Sequence, residues 1–290
     1  MKTAITVQAY NRPSYLRKSL QAVALCDQGW DVHVFLDSPI KSKDGLIDKK
    51  SACLNMECFK VIKQEVPGAT IHWGASNAGP SVSSISIKAK LFDVLDYDAV
   101  ICLPDDFVPT FAYWRTINKM LEMSVDDDRY GLVMCYSGRK GEDHSKFYNN
   151  LTTCGHLVCI GLCRNKWDVW KDELMKAAEI FHTYKQPDCY DKIKDWLNSN
   201  GFGFKSGPEG DACLIALMIK HGQVPVSTVA NLGEYIGKEG EFGDIESYNR
   251  HFKDVSIDKV EPSIEQPDQS FFDHALKRLR DIYNYSTDNE

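Results

Sequence analysis

The sequence predicts an α/β fold with a mixed, mostly parallel central sheet flanked by helices. Three observations carry that expectation. Short apolar runs of strand type alternate with helix-spaced segments through the first hundred residues, the pattern of βαβ units. Three of those runs end in polar clusters, Tyr10-Asn11-Arg12, Asp37-Ser38 and Asp105-Asp106. The composition, 43% hydrophobic and 26% charged over 290 residues, is that of an ordinary globular chain. A chain of this length buries about three quarters of its unfolded surface and needs no disulfide or metal to fold.

Ile5–Ala9 reads as the first strand, followed by Asn11 as a helix cap and Pro13 in the first turn. Leu16, Leu20, Val23 and Ala24 then recur at helical spacing. Asp31–Leu36 is a second strand, Asp44–Val66 a helix ended by Pro67-Gly68, and Thr70–Trp73 a third strand. A small-residue loop from Gly74 to Pro80 precedes a helix over about Ser83–Leu95 and the strand Ala99–Leu103. Beyond it the pattern predicts a helix at Phe111–Met123, a buried strand at Gly131–Tyr136 and a polar loop at Arg139–Asn150. An apolar strand at His156–Cys163 leads into a helix around Trp167 and Trp170. A helix at Asp211–His221 and a strand at Pro225–Ala230 follow. Gly233–Gly243, with glycines at 233, 237, 240 and 243, reads as a mobile stretch, and Ser270–Tyr283 as an amphipathic helix. There is no internal repeat.

Charge and cysteines exclude several classes. Lys and Arg number 34 against 41 Asp and Glu, a net charge of −7, so the whole molecule is no general polyanion binder. No apolar run approaches the ~18 residues of a membrane span, and the start reads as a strand rather than a signal peptide. The ten cysteines contain no C-x-x-C and no paired zinc spacing, which predicts reduced thiols in a cytoplasm. Trp167, Trp170 and Trp196 read as core, with stacking on a sugar as the alternative. His144, His156 and His221 form no catalytic spacing.

In a parallel sheet the ligand sits beyond the carboxyl ends of the strands, which is where the polar clusters fall. Two carboxylates at a strand end, Asp105 and Asp106, can hold Mg²⁺ or Mn²⁺ against a diphosphate, because hard oxygen ligands suit such cations. Their alternative is capping of the helix at Phe111. Asp37 reads as a ligand or a turn residue, Asn11 as a cap or a ligand, and Lys88 as a solvated helix residue or a nucleotide contact.

Tyr10-Asn11-Arg12-Pro13 after the first strand resembles the N-terminal motif of nucleotide-sugar glycosyltransferases of the GT-A fold. Leu103-Pro104-Asp105-Asp106-Phe107-Val108-Pro109 resembles their metal-binding segment in the family 2-like and N-acetylglucosaminyltransferase I-like, inverting form. The resemblance covers about residues 4–243. It implies that Ala9, Tyr10 and Arg12 line the nucleotide base pocket and that Asp37 meets the base or ribose. Asn77 and Gly79 would form the loop near the nucleotide, and Lys88 would reach it. Asp105 would contact the ribose and Asp106 ligate Mn²⁺ or Mg²⁺. Pro104 stands where many relatives carry an acid, which removes one contact and leaves the metal ligand.

In the same resemblance the general base opens a helix. Asp211 is the first choice and Glu209 the second, with helix capping as the alternative for Asp211. Gly233-Glu234-Tyr235-Ile236-Gly237-Lys238-Glu239-Gly240 resembles the segment that closes over the donor, with Tyr235 in place of a His and Lys238 placed to neutralise the diphosphate. The expected function is inverting, metal-dependent transfer of a sugar from a nucleotide diphosphate sugar, a UDP-sugar first, to an acceptor hydroxyl on a glycan, a protein or a modified DNA base.

A DNA acceptor would need a basic face, for which Arg139-Lys140, Lys146 and Arg164-Lys166 are the candidates. The alternatives are a nucleotidyltransferase, disfavoured because no Gly-rich basic loop follows the first strand, and an inactive nucleotide- or sugar-binding module. The expected organisation is a nucleotide-sugar half at 1–108, an acceptor and catalytic half at 109–250, and a C-terminal extension at 251–290.

Overall fold

The computed structural model describes residues 1–40, 45–140, 146–184, 188–205, 208, 210–239 and 245–286. Glu209, His144 and the glycines at 240 and 243 lie outside the described residues. The strands are β1 (Thr3–Ala9), β2 (Asp31–Leu36), β3 (Thr70–Trp73), β4 (Ala99–Pro104), β5 (Phe107–Pro109), β6 (Tyr130–Met134), β7 (Leu151–Thr152), β8 (Ile160–Cys163), β9 (Val224–Thr228) and β10 (Gly233–Tyr235). Eight of them form one sheet in the order β3-β2-β1-β4-β8-β6-β9-β7. The pairs β3-β2, β2-β1, β1-β4 and β6-β9 are parallel, while β8 runs antiparallel to both its neighbours and β7 antiparallel to β9. This is the mixed, mostly parallel sheet expected. Strands from both sides of residue 108 share it.

The register decides where chemistry can occur. Ala9 pairs with Leu36, and Gln8 with Pro104, so β1, β2 and β4 end level with one another. The three polar clusters therefore emerge side by side at one sheet edge. Because β6 and β9 run with β4, the chain leaves them at that edge too, and the second sheet, β5 paired antiparallel with β10, caps it.

The helices are α1 (Pro13–Val23), α2 (Lys49–Glu65), α3 (Gly79–Ala89), α4 (Phe111–Val125), α5 (Arg164–Thr183), α6 (Asp188–Asn198), α7 (Gly210–Lys220), α8 (Ile245–His251) and α9 (Gln269–Tyr283), with a π-helical turn at Lys90–Val94 after α3. Several boundaries move from expectation. Asn11 does not cap α1: Arg12 holds the cap position, Pro13 opens the helix, and the Asn11 amide donates to Ser51 Oγ at 3.2 Å. α2 starts only after Asp48, whose carboxylate accepts the Lys50 N–H at 3.0 Å. α3 starts four residues early at Gly79, whose φ of +73° suits glycine. The apolar stretch before β8 is not strand, and Cys159 sits at φ +51° just ahead of it. Residues 233–235, expected within a mobile stretch, form β10.

Trp167 and Trp170 are fully buried, which settles them as core; Trp167 stacks on Phe92 with centroids 5.9 Å apart. All ten cysteines are free, and Cys53 alone is exposed. Among the described residues no helix is long and apolar enough to cross a membrane.

Three of the candidate basic residues for a DNA acceptor are engaged within the fold. Lys166 is buried and bonds the Asp127 carbonyl at 3.0 Å and Asp128 Oδ1 at 2.9 Å. The Arg164 N–H bonds the Asp98 carbonyl at 2.8 Å, at the start of β4. Arg139 donates to Thr152 Oγ1 beside β9. A six-residue strand is about 20 Å long, so Arg164 stands a strand's length from the edge that carries Asp105.

Candidate active site

Asp105 and Asp106 lie in the two-residue turn between β4 and β5 and are buried, at 4% and 2% exposure. They do not cap α4, whose cap position is Thr110. Their counter-charge is Arg12, one residue ahead of α1. Its Nη2 pairs with Asp105 Oδ1, its Nε lies 3.3 Å from Asp105 Oδ2, and its Nη1 lies 2.8 Å from Asp106 Oδ2. Arg12, expected to line the base pocket, thus pairs with both carboxylates.

Burial pushes Asp105 up to about 7 against the pull of Arg12. Burial alone would lower Arg12, but Asp105 and then Asp106 outweigh it, so the guanidinium stays charged. Removing one partner of such a pair leaves an uncompensated buried charge.

The segment after β10 closes over the pair. The Ile236 N–H donates to the Asp106 carbonyl at 2.8 Å. The Tyr235 hydroxyl hydrogen-bonds the Asp106 carboxylate, and burial followed by that carboxylate raises its pKa. Gly237 has no room for a side chain, because a Cβ there would overlap Asp106 Oδ2. Lys238 donates its backbone N–H to Tyr15 Oη at 3.3 Å, with its ammonium 5.4 Å from the Tyr248 ring centroid. The Glu239 carbonyl accepts from Arg12 Nη1 at 3.4 Å.

The neighbouring strand ends are tied by a residue that sequence reasoning passed over. Asn55 of α2 is fully buried, and its Nδ2 donates to the carbonyls of Tyr10 and Asp37, both at 2.7 Å. The Asp37 N–H bonds the Ala9 carbonyl at 2.8 Å. The Asp37 carboxylate accepts from the N–H groups of Ser38 at 2.9 Å and Ala78 at 3.3 Å. Asn77 Oδ1 accepts from the Gly79 N–H at 3.0 Å, closing the loop into α3.

Lys88 is not solvated. It is buried against Cys102, and its Nζ bonds Ser84 Oγ at 2.7 Å and the Ser84 carbonyl at 3.2 Å. Asp211 lies in the first turn of α7 and is exposed. That turn meets the start of α3: a Cβ on Gly210 would come 2.8 Å from Ser81 Oγ. An acid there also suits the positive end of the helix dipole.

Asn231, a second residue the sequence did not flag, accepts at Oδ1 from the N–H groups of Ser137 at 3.1 Å and Gly138 at 2.9 Å. Its Nδ2 donates to the Arg139 and Ser256 carbonyls, so it clamps the exit of β6 to the C-terminal region. A buried Asn with both amide ends engaged was the only available signal, and a lone Asn in sequence does not carry it.

The fit of a divalent cation rests on Asp106. Its Oδ1 is buried and has no hydrogen-bond partner, an acceptor left for a cation or a water. No group of three ligating side chains surrounds it among the described residues. The set therefore suits a cation shared with substrate oxygens rather than one held by protein alone.

No family model matches the sequence, and no curated protein matches it. Solved structures do. The galactosyltransferase LgtC, solved in complex with donor and acceptor sugar analogues, is 13% identical to the chain, over 98% of this chain and 96% of its own, with a TM-score of 0.45. The glycosyltransferase GlyE of Streptococcus pneumoniae is 12% identical over 78% of this chain, with a TM-score of 0.41, and the match spans 45% of GlyE. A mannose-1-phosphate geranyltransferase of Thermus thermophilus is 11% identical over 66% of this chain and 68% of its own, with a TM-score of 0.36.

Proposed function

We propose that the chain is an inverting glycosyltransferase that moves a sugar from a nucleotide diphosphate sugar, a UDP-sugar first, to an acceptor hydroxyl. One observation carries the reading: a buried carboxylate pair stands at the level ends of β1, β2 and β4. The sheet edge around Ala9, Tyr10, Asp37, Asn77 and Gly79 receives the nucleotide, and Asp105 faces its ribose. Asp106, with one oxygen left without a partner, would hold Mn²⁺ or Mg²⁺, whose charge would offset negative charge on the departing diphosphate. Asp211, at the start of α7, takes the proton of the acceptor hydroxyl as its oxygen attacks the anomeric carbon from the face opposite the diphosphate. Tyr235 and Lys238 belong to the segment that covers the donor. The acceptor is a glycan, a protein or a modified DNA base, and the reaction belongs to the cytoplasm, where ten free thiols persist.

Calorimetry with UDP, with and without Mn²⁺, tests the donor site, and a hydrolysis screen across UDP-, GDP- and TDP-sugars identifies the donor. Metal-dependent UDP binding is expected, and its absence would sink the reading. Asp211→Asn is expected to bind UDP as the parent does and to lose transfer by roughly 10²-fold or more. Transfer at the parental rate by that variant would remove Asp211 from the mechanism, and a chain that binds UDP yet turns over no donor would be a binding module.

A further inference from the structure

Arg12 is placed where an external cation would have to act. Its guanidinium reaches both buried carboxylates, with Nη1 2.8 Å from Asp106 Oδ2. Yet it satisfies only part of that group, for Asp106 Oδ1 accepts no hydrogen bond. The Arg12 side chain itself is 28% exposed and so stands at the mouth of the site, not beneath it. Its guanidinium carbon lies over the Tyr15 ring, 5.5 Å from the centroid. The same guanidinium bonds the Glu239 carbonyl, while Tyr15 accepts the Lys238 N–H, so the segment over Asp106 is fastened by Arg12 and its ring neighbour.

We propose that Arg12 is a built-in cation that competes with a divalent ion for Asp106, so that metal binding waits on a diphosphate that draws the guanidinium away. The physical basis is charge and geometry. The guanidinium on Asp106 Oδ2 repels a divalent ion brought to the same buried carboxylate and so lowers its affinity. A guanidinium fork pairs with phosphate as readily as with carboxylate, so a diphosphate arriving at the mouth offers Arg12 an equivalent partner. Once Arg12 turns to it, Asp106 faces the incoming cation without a competing positive charge. The Arg12 fork thereby couples donor binding to cation binding and keeps the acidic pair neutralised between turnovers.

The proposal rests on the glycosyltransferase reading for the identity of the diphosphate, and the experiment separates the two. Binding of Mn²⁺ alone, followed by the electron spin resonance of the free ion, is compared in the full-length parent and in Arg12→Met, each with and without UDP. The parent is expected to bind Mn²⁺ weakly, with at least a tenfold gain in affinity when UDP is present. Arg12→Met is expected to bind Mn²⁺ alone at least tenfold more tightly than the parent, and to gain little from UDP. Equal Mn²⁺ affinity in the two proteins, with the UDP effect intact, overturns the role of Arg12 and leaves the enzyme reading standing. No Mn²⁺ binding to either protein under any condition overturns both.

Arg12→Met leaves two buried carboxylates without a counter-charge, so its thermal unfolding is measured alongside. A lowered Tm in chelator that Mn²⁺ restores is expected, whereas Mn²⁺ that fails to restore it counts against the proposal. Arg12→Lys keeps a charge without the fork and is expected to show intermediate Mn²⁺ affinity. A Lys variant as permissive as the Met variant would mean that the fork is irrelevant.

Discussion

At Asp106 three groups converge from distant parts of the chain: the guanidinium of Arg12, the hydroxyl of Tyr235 and the α-carbon of Gly237. Their closeness leaves no room for a side chain at position 237, and that makes Gly237 informative. Gly237→Ala would drive a methyl into the carboxylate, so the segment over Asp106 must shift or the carboxylate must turn. The expected cost is about 1–3 kcal/mol, seen as a lowered midpoint in denaturant unfolding. Gly68→Ala is the control, because a Cβ at Gly68 meets nothing within 4 Å and its φ lies outside the left-handed region. It should change stability by less than about 0.5 kcal/mol. If the two variants were equally stable, the packing against Asp106 would not be as described.

Among the helices, those that frame the site and those that close the fold are held by different means. α1 has no side-chain cap and relies on Pro13 in its first turn, which leaves Arg12 free of capping duty and available to the carboxylates. α9 has a true cap: Asp268 accepts the Phe271 N–H at 3.0 Å, and Phe272, Ala275, Leu279 and Tyr283 are buried along one face. Asp268→Ala should cost about 1 kcal/mol, while Asp268→Asn, which keeps the acceptor, should cost far less. Chemical denaturation of the three proteins decides it, and an Ala variant as stable as the parent would show that the cap contributes nothing. The helix itself was legible from the spacing of Phe272, Leu279 and Tyr283. α8 and the strand character of β10 were not, because their sequences carry too few apolar positions to show a period.

Over the whole molecule, stability should depend on pH through a chain of groups on one face of the sheet. Tyr97 donates its hydroxyl to Asp31 Oδ2 at 2.8 Å, so it must accept from His33 Nε2, also at 2.8 Å. His33 Nδ1 is then the acceptor for His72 Nε2 at 2.9 Å. Burial disfavours the charged form of both rings and keeps them neutral, each in the tautomer that this chain of bonds requires. Burial lowers His33, and burial, then Lys90 and His33, lower His72 to about 4. An unfolded histidine titrates near ~6.5. As pH falls from there toward about 4, the unfolded chain takes up protons that the folded chain refuses, and stability falls. Above that range the term vanishes. Melting temperature should therefore decline between pH 7 and pH 4.5, and less steeply in His72→Phe, whose ring can keep the stack on Phe35, 4.3 Å away between centroids. Identical slopes in the two proteins would exclude His72 as a source.

What the sequence by itself determined is the alternation of strands and helices, the polar strand ends and the burial of Trp167 and Trp170, since each depends on local periodicity and on the solubility of side chains. It also singled out Asp105 and Asp106, because two further strands end in polar clusters beside which an acidic pair at a strand end gains meaning. What it could not determine is who meets whom. The level ends of β1, β2 and β4, the Asn55 tie and the Asn231 clamp follow from register and packing between distant parts of the chain, which no spacing encodes. The partnership of Arg12 with Asp106, 94 positions apart, is of the same kind, as is the burial of Lys88 beside Cys102. Only the tertiary structure decided these, because a charge takes its partner from whatever the fold places beside it.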